Sequence, residues 1–398
     1  MKKKLFPIGR PSVLRHTNAL SILALLREAG TCSRADLVRA SGLSAPTVTN
    51  IVKDLLAANL VEPLGEGESS GGRPPDMIRF KATRGCVLAV QLTSDDIQFL
   101  LADLDGNELG KLTLSLAGKK TTPEAVCGYI GTGLKTLLLK QGMTRDQLLV
   151  LVAGVPAITN VEDGVVLAIT TLQSWRSVNL RTMLGKIVDC MIVVENDINL
   201  AALGERYRGT SRNETDLTYI SIGKNVGAGI VLNGKIHHGA QWSAGEIGYL
   251  RLPNTSRKQL TIFEFGELES VLTSSGILEN WREQTGKSRS SISSALQVLD
   301  LAMAGDAIAE KIVQYRASIV ADIVLNLSLI LNPALILLGG VVGSHPALLR
   351  EVQHQLEGSE FGVTRVRAGT LGEVAVLWGA IMFALEFVPE VLLPPALQ

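Results

Sequence analysis

The chain has 398 residues, more than one ordinary domain uses, with 46% hydrophobic and 19% charged residues. That is enough apolar material for two or three sizeable cores, and it excludes a disordered or collagen-like chain. The formal net charge of zero conceals an asymmetry: residues 1–84 carry 13 Lys+Arg against 7 Asp+Glu, so the remainder carries a net −6. A basic first segment joined to an acidic remainder points to a head that meets a polyanion.

Lys2, Lys3 and Lys4 are followed by no apolar h-region, so a secretory signal is not expected. Cys32, Cys86, Cys127 and Cys190 are scattered without metal-ligand spacing, as in a reducing, cytoplasmic setting. Ile319 to Val342 is the longest apolar stretch, but Asp322, Asn326, Asn332 and Pro333 interrupt it. It reads as a buried helix followed by a strand, not as a membrane span.

Taken in order, Val13 to Ala29 reads as a helix with Ile22, Leu25, Leu26 and Ala29 on one face. Ser33-Arg34-Ala35-Asp36 resembles a capping box opening a short helix to about Ala40, which Gly42 ends. Ser44 caps a third helix with Pro46 in its first turn and an apolar stripe at Val48, Ile51, Val52, Leu55 and Leu56. The opposite face carries Pro46, Thr47, Thr49, Asn50 and Lys53, small and polar. This is a helix-turn-helix pattern, whose third helix would enter a major groove. Strands at Leu60–Glu62 and Met77–Phe80 would form a wing, with Arg73 projecting from Gly71-Gly72-Arg73-Pro74-Pro75 toward a minor groove. The candidate DNA contacts are therefore Ser44, Pro46, Thr47, Thr49, Asn50, Lys53 and Arg73.

From Gly85 the pattern turns to strands: Cys86–Leu92, Ile97–Asp103 and Leu109–Ser115, with an Asp105-Gly106 turn. A helix over Pro123–Lys140 and a strand over Leu148–Ala153 follow, then a loop starting at Gly154. The same meander returns at Thr218–Gly223, Gly227–Leu232 and Lys235–His237 around Asn233-Gly234. The internal repeat implies two related lobes on mixed sheets, with a cleft between them suited to a ligand. Met191–Val194 reads as a buried strand running into Glu195-Asn196-Asp197, where a helix opens. Asn196 and Asp197 are either helix caps or ligands for hydroxyl groups at a strand's carboxyl edge.

Together with the winged head, four motifs carry a resemblance. They are Glu-Asn-Asp-x-Asn-x-Ala-x-Leu-Gly-Glu from Glu195, Gly-Ala-Gly-Ile-Val-Leu-Asn-Gly from Gly227, Ala-Gly-Glu-Ile-Gly from Ala244 and Leu-Gly-Gly from Leu338. The chain resembles the ROK family, in particular its sugar-responsive repressors of the xylose and N-acetylglucosamine type. The resemblance implies an α/β, two-lobed, actin-like sugar-kinase fold behind a winged helix-turn-helix, assembled as a homodimer or homotetramer. It divides the chain into a DNA-binding head (1–84), a first lobe (85–200) and a second lobe (201–398), and it allows the last helix to return to the first lobe.

Carried over by position, the resemblance makes Asn196, Asp197, Glu246, Tyr249 and Glu269 sugar ligands and puts Gly154 on a loop closing over the sugar. The departures are as informative. A family kinase has Asp-x-Gly-x-Thr where this chain has Gln91-Leu92-Thr93-Ser94-Asp95-Asp96, and Gly where it has Asn225. Phosphoryl transfer depends on positioning and charge neutralisation, so these losses imply a regulator and not an enzyme, with Asp197 a vestigial base. Tyr249 replaces a His, Thr171 stands where Asn is common before the Trp, and no Cys follows Cys190. No zinc and no cofactor are therefore expected. The expected partners are operator DNA and a sugar or sugar-phosphate effector. The alternatives are an ATP-dependent sugar kinase with Asp197 as base, and a sugar-binding module whose head meets another protein.

Overall fold

A computed structural model describes residues 11–67, 74–169, 172, 174–212, 214–252, 261, 264, 266–286, 291–359 and 364–393. The head consists of α1 (Pro11–Ala29), β1 (Thr31–Ser33), α2 (Arg34–Ser41), α3 (Ala45–Ala57), β2 (Val61–Glu66) and β3 (Asp76–Phe80). Its caps follow from local chemistry. Ser33 and Asp36 form a reciprocal capping box, and Gly42 takes a left-handed conformation (φ 68°) that closes α2. Ser44 caps α3, whose Val48, Ile51, Val52 and Leu55 are buried. The three short strands pair in the order β1-β3-β2, which forms the expected wing.

The first lobe holds β4 (Cys86–Leu92), β5 (Asp96–Asp103), β6 (Glu108–Ser115), α4 (Pro123–Lys140), β7 (Leu148–Val155), β8 (Ile158–Asn160), β9 (Val165–Ala168), β10 (Arg176–Asn179), α5 (Leu180–Leu184), β11 (Met191–Asn196) and α6 (Asp197–Arg208). The second holds β12 (Leu217–Ile222), β13 (Val226–Leu232), β14 (Lys235–Ile236), α7 (Glu267–Leu272), α8 (Ser274–Thr285), α9 (Ala295–Met303), α10 (Ala307–Ile330), β15 (Leu335–Gly339), α11 (Gly340–Gly343), α12 (Pro346–Gln355), β16 (Arg365–Ala368) and α13 (Ala375–Leu392).

The repeat read from the sequence is a repeat of topology. One sheet runs β6-β5-β4-β7-β11 and the other β14-β13-β12-β15-β16. In each, an antiparallel meander is extended by two parallel strands. Such parallel additions need crossovers, which put helices on the sheet faces. The chain is thus α/β with two actin-like mixed sheets behind a helical head.

Two helices lie between the sheets. α6 packs on β12 and β13, while α13 returns to β4, β5 and β7 and packs along α6. They cross at Gly204 and Gly379, where a Cβ on Gly379 would stand 1.7 Å from the Leu200 carbonyl oxygen and one on Gly204 2.1 Å from that of Ala375. Only glycine permits so close a backbone approach. α10 and α13 are long and apolar enough to cross a membrane by length and composition, but each buries one face in these cores.

Head and first lobe share one hydrophobic core. Ile22, Leu23 and Leu26 of α1 and Phe80 of β3 form a continuous buried cluster with Leu100 and Leu104 of the first lobe and Ile381, Ala384, Leu385 and Val388 of α13. Arg27 reinforces the junction, donating to the carbonyls of Leu104 (3.0 Å) and Leu385 (3.1 Å) while lying 5.7 Å from the centroid of the Phe80 ring.

Candidate functional site

The β11–α6 junction places its polar groups at the cleft between the sheets. The Asn196 side-chain oxygen accepts from the amides of Ile198 (2.9 Å) and Asn199 (3.1 Å), and its amide group donates to the Ala157 carbonyl (3.1 Å). Asn196 is therefore both a helix cap and a tie to the first lobe, with much of its hydrogen-bonding capacity used locally. Asp197, next along, opens onto the cleft. Burial raises its carboxyl to about 7, partly offset by backbone amides.

A small cavity of about 60 Å³ is lined by Pro156, Ala157, Ile158, Asn196, Asp197, Trp242, Glu246, Tyr249 and Glu269, among others. Five of the six residues expected to meet a ligand are thus gathered here. Glu246 is raised to about 7, first by burial and then by the neighbouring Glu269 and Asp197. Glu269 is buried and raised by burial, although its carboxylate accepts from the Val226 amide (3.4 Å). Tyr249 donates to the Glu264 carbonyl (2.7 Å), and burial pushes its phenol up to about 12.

Gly154 requires a correction. It lies inside β7, not on a loop, and does not line the cavity. Its missing side chain is explained by packing, because a Cβ would meet Leu200 at 2.8 Å and Val376 at 3.1 Å. Pro156, Ala157 and Ile158 form the cavity edge instead. Thr171 lies outside the described residues.

Sequence reasoning did not single out the group that joins the cleft walls. Glu195 is fully buried and accepts from the Asn196 amide (2.8 Å) and the Asn199 side chain (3.0 Å). Its other oxygen pairs with His238 Nε2 at 2.7 Å. His238 in turn meets Trp242 edge-on at 5.5 Å between ring centroids, and Trp242 lines the cavity. A buried carboxylate so placed fixes the loop that carries Glu246 against the α6 N-terminus. The only hint in the sequence was the unusual His-His-Gly-Ala-Gln-Trp run from His237.

A second cavity of about 220 Å³ adjoins the first, sharing Asp197 and Ile198 with it; Gln91, Tyr219, Ser221, Val341, Ser344, Glu373 and Val376 are among its other walls. Of the two altered hairpins, the first enters its wall only at Gln91, and the second lines the first cavity at Asn225, Val226 and Gly227. The amides of Asp95 and Asp96 are taken up by the Thr93 hydroxyl at 3.2 and 3.0 Å. Lys224 reaches from the second lobe to an ion pair with Asp95 of the first. At the Gly339-Gly340 turn a Cβ on Gly339 would stand 2.0 Å from the Tyr219 hydroxyl oxygen, and Gly340, at φ +73°, donates its amide to that oxygen. This turn is packed by protein groups.

On the head, Ser44, Pro46, Thr49, Asn50 and Lys53 are exposed and Thr47 is half-buried. The Ser44 hydroxyl is engaged with the Thr47 amide and hydroxyl. Arg73 lies outside the described residues.

A model of the ROK family matches residues 87–386, and one of the MarR family matches residues 16–70. The chain is 25% identical to a xylose repressor of Caldicellulosiruptor bescii over 95% of this chain and 98% of that one. It is 28% identical to a glucokinase of Halalkalibacterium halodurans, over 59% of this chain and 73% of the other. Among solved structures, a ROK family transcriptional regulator described as a homolog of the E. coli MLC protein superposes with a TM-score of 0.78 at 22% identity, covering 96% of this chain and 99% of its own.

Proposed function

The chain belongs to the ROK family, and on that premise we propose that it is a cytoplasmic transcriptional regulator, most simply a repressor, acting as a homodimer or homotetramer. Residues 1–84 bind a pseudo-palindromic operator, and a sugar or sugar phosphate binds between the lobes of 85–200 and 201–398. The observation that carries this reading is the capped helix α3, which leaves a small polar face open on a head locked to the body by a shared core. Full-length likeness to a xylose repressor supports it. Asn50 and Thr49 offer groups for base edges and Lys53 for phosphate, and Arg73 is assigned to the minor groove. Asp197, Glu246, Tyr249, Glu269 and Asn196 offer carboxyl, phenol and amide groups for hydroxyls.

Regulation requires that the effector prefer one closure of the cleft and that this closure alter the spacing of paired heads. The first cavity holds only a few waters as it stands, so a bound sugar would extend beyond it into the open cleft or displace its walls. Duplexes selected from a random pool, titrated by fluorescence anisotropy across a salt series, test the reading. Affinity should fall steeply with salt, Asn50→Ala should relax sequence preference, and a sugar from a pentose and hexose panel should shift affinity. Failure to bind any selected duplex at moderate salt overturns it.

A kinase reading draws support from Asp197, whose pKa near 7 suits a general base. Against it stand the engaged amides of the 93–96 hairpin, the Lys224–Asp95 pair and Tyr219 seated on the Gly339-Gly340 turn. A coupled ADP-release assay with Asp197→Asn as control decides between the two.

A further inference from the structure

The sugar-effector reading leaves open what kind of carbohydrate the cleft accepts, and the adjoining cavities bear on that. The first is polar and holds on the order of four waters at about 15 Å³ each. The second is larger, at 220 Å³, and mixes apolar walls with a few hydroxyl and amide groups. An apolar cavity on the order of 150 Å³ accommodates benzene, so the second has room for a six-membered ring. Asp197 and Ile198 line both, so a substituent on a sugar hydroxyl that meets Asp197 passes directly from one to the other.

Charge excludes one class of substituent. The first cavity carries Asp197, Glu246 and Glu269, and the second carries Asp197 and Glu373. Among the described residues no Lys, Arg or His lines either. Lys224, on the 223–227 hairpin, is paired with Asp95. Among the described lining residues a phosphate dianion would meet no counter-charge, and burial already raises the carboxyls of Asp197, Glu246 and Glu269, so a further negative charge is disfavoured there. Gln91 lines the second cavity, while its side-chain oxygen is buried away from it without a hydrogen-bond partner. Val341 and Val376 supply apolar surface on which a ring can lie.

We infer that the effector is a neutral two-ring carbohydrate, with one ring at Asp197 and Glu246 and the other in the cavity bounded by Gln91, Tyr219 and Val341, and that sugar phosphates are excluded. This rests on the sugar-effector reading and narrows it. Val341 is 44% exposed at the rim, so Val341→Trp fills the second cavity from outside with little disturbance of the core.

Calorimetric titration of the full chain tests the inference. The probes are glucose and xylose, glucose 6-phosphate and xylose 5-phosphate, and neutral disaccharides joined through the anomeric, 4- or 6-oxygen: trehalose, cellobiose, xylobiose, isomaltose and gentiobiose. At least one disaccharide should bind about tenfold more tightly than its monosaccharide, as expected for burying one further apolar ring face. The phosphates should bind at least about tenfold more weakly than the parent sugars. Val341→Trp should bring the ratio of disaccharide to monosaccharide affinity to near one, and an unchanged melting profile of the unliganded variant shows that it folds. A phosphate tighter than its parent sugar overturns the inference while leaving the effector reading intact. So does a panel in which no disaccharide exceeds its monosaccharide, or an advantage that survives Val341→Trp. Binding of no carbohydrate in any form overturns the effector reading, and this inference with it.

Discussion

Gly379→Ala tests the architecture most directly. A Cβ at this position would lie 1.7 Å from the Leu200 carbonyl oxygen, 2.6 Å from its carbon and 2.9 Å from the Gly204 amide. A tolerable carbon–oxygen contact is about 3.2 Å, so α6 and α13 must separate by roughly 1.5 Å along their crossing. The atoms struck are backbone, which cannot rotate away as a side chain could. Overpacking commonly costs about 1–3 kcal/mol, and a forced separation of two central helices belongs at or above the upper end. Unfolding entropy of about 2 cal/mol/K per residue gives a chain of this length about 0.8 kcal/mol/K. A loss of about 3 kcal/mol then lowers Tm by about 4 °C if the chain melts as one unit. Differential scanning calorimetry reads this, with Gly128→Ala as the contrast. Gly128 lies on the exposed face of α4 with nothing within 4 Å of its Cβ position, so alanine there should raise Tm by about 1 °C. Effector binding should weaken in Gly379→Ala, because Asp197 rides on α6. A Tm change below about 1 °C would mean that the two helices do not cross as described.

Three further outcomes follow from the cleft and the junction. Asp197 and Glu246 are both raised to about 7 when folded, from ordinary carboxyl values when unfolded, so the folded state holds their protons more tightly. Their contribution to stability is fully present below about pH 4 and is lost as pH rises through about 7. Asp197→Asn should therefore match the parent at pH 4 in thermal melts and exceed it progressively toward pH 8; parallel curves across that range would contradict the assigned shift. Arg27→Met strands the Leu104 and Leu385 carbonyls and should cost about 2–4 kcal/mol at the head–lobe junction, seen as faster limited proteolysis of the head and a weakened effect of sugar on DNA affinity. His238→Ala leaves the Glu195 carboxylate buried without its partner; it should destabilise by about 3 kcal/mol and weaken sugar binding through the Trp242 loop, and binding equal to the parent's would remove the positioning role given to this pair.

Much of the fold was legible because its signals are local. The capping box at Ser33 and Asp36, the left-handed Gly42 and the turns at Gly106 and Gly234 each concern residues within one turn of each other. The meander was legible twice, and the second reading made the first credible, since α4 and the strands on either side of it fell at the expected places. What escaped notice depends on chain segments far apart in sequence. Glu195 meets His238 across 43 positions, and Tyr219 fills the space left by Gly339 across more than a hundred. Gly154 illustrates the converse: a glycine read as part of a loop closing over the sugar is small because Leu200 and Val376 press on it from other elements. Composition and periodicity carry no record of such neighbours. Asn196 was legible as either cap or ligand, and its bonds to Ile198, Asn199 and Ala157 make it a cap, with its place on the cavity wall unaffected.

The unbroken apolar seam from α1 through α13 constrains how this protein could have been assembled and how it can be cut. A body stripped of its first 84 residues would carry an oily scar where Ile22, Leu26 and Phe80 had rested, and would stick to itself unless that scar were repainted with polar residues. A head grafted onto a foreign kinase would lack the matching surface and hang loose. The same seam ties the last helix to the first, so a displacement of α13 would be felt at α1.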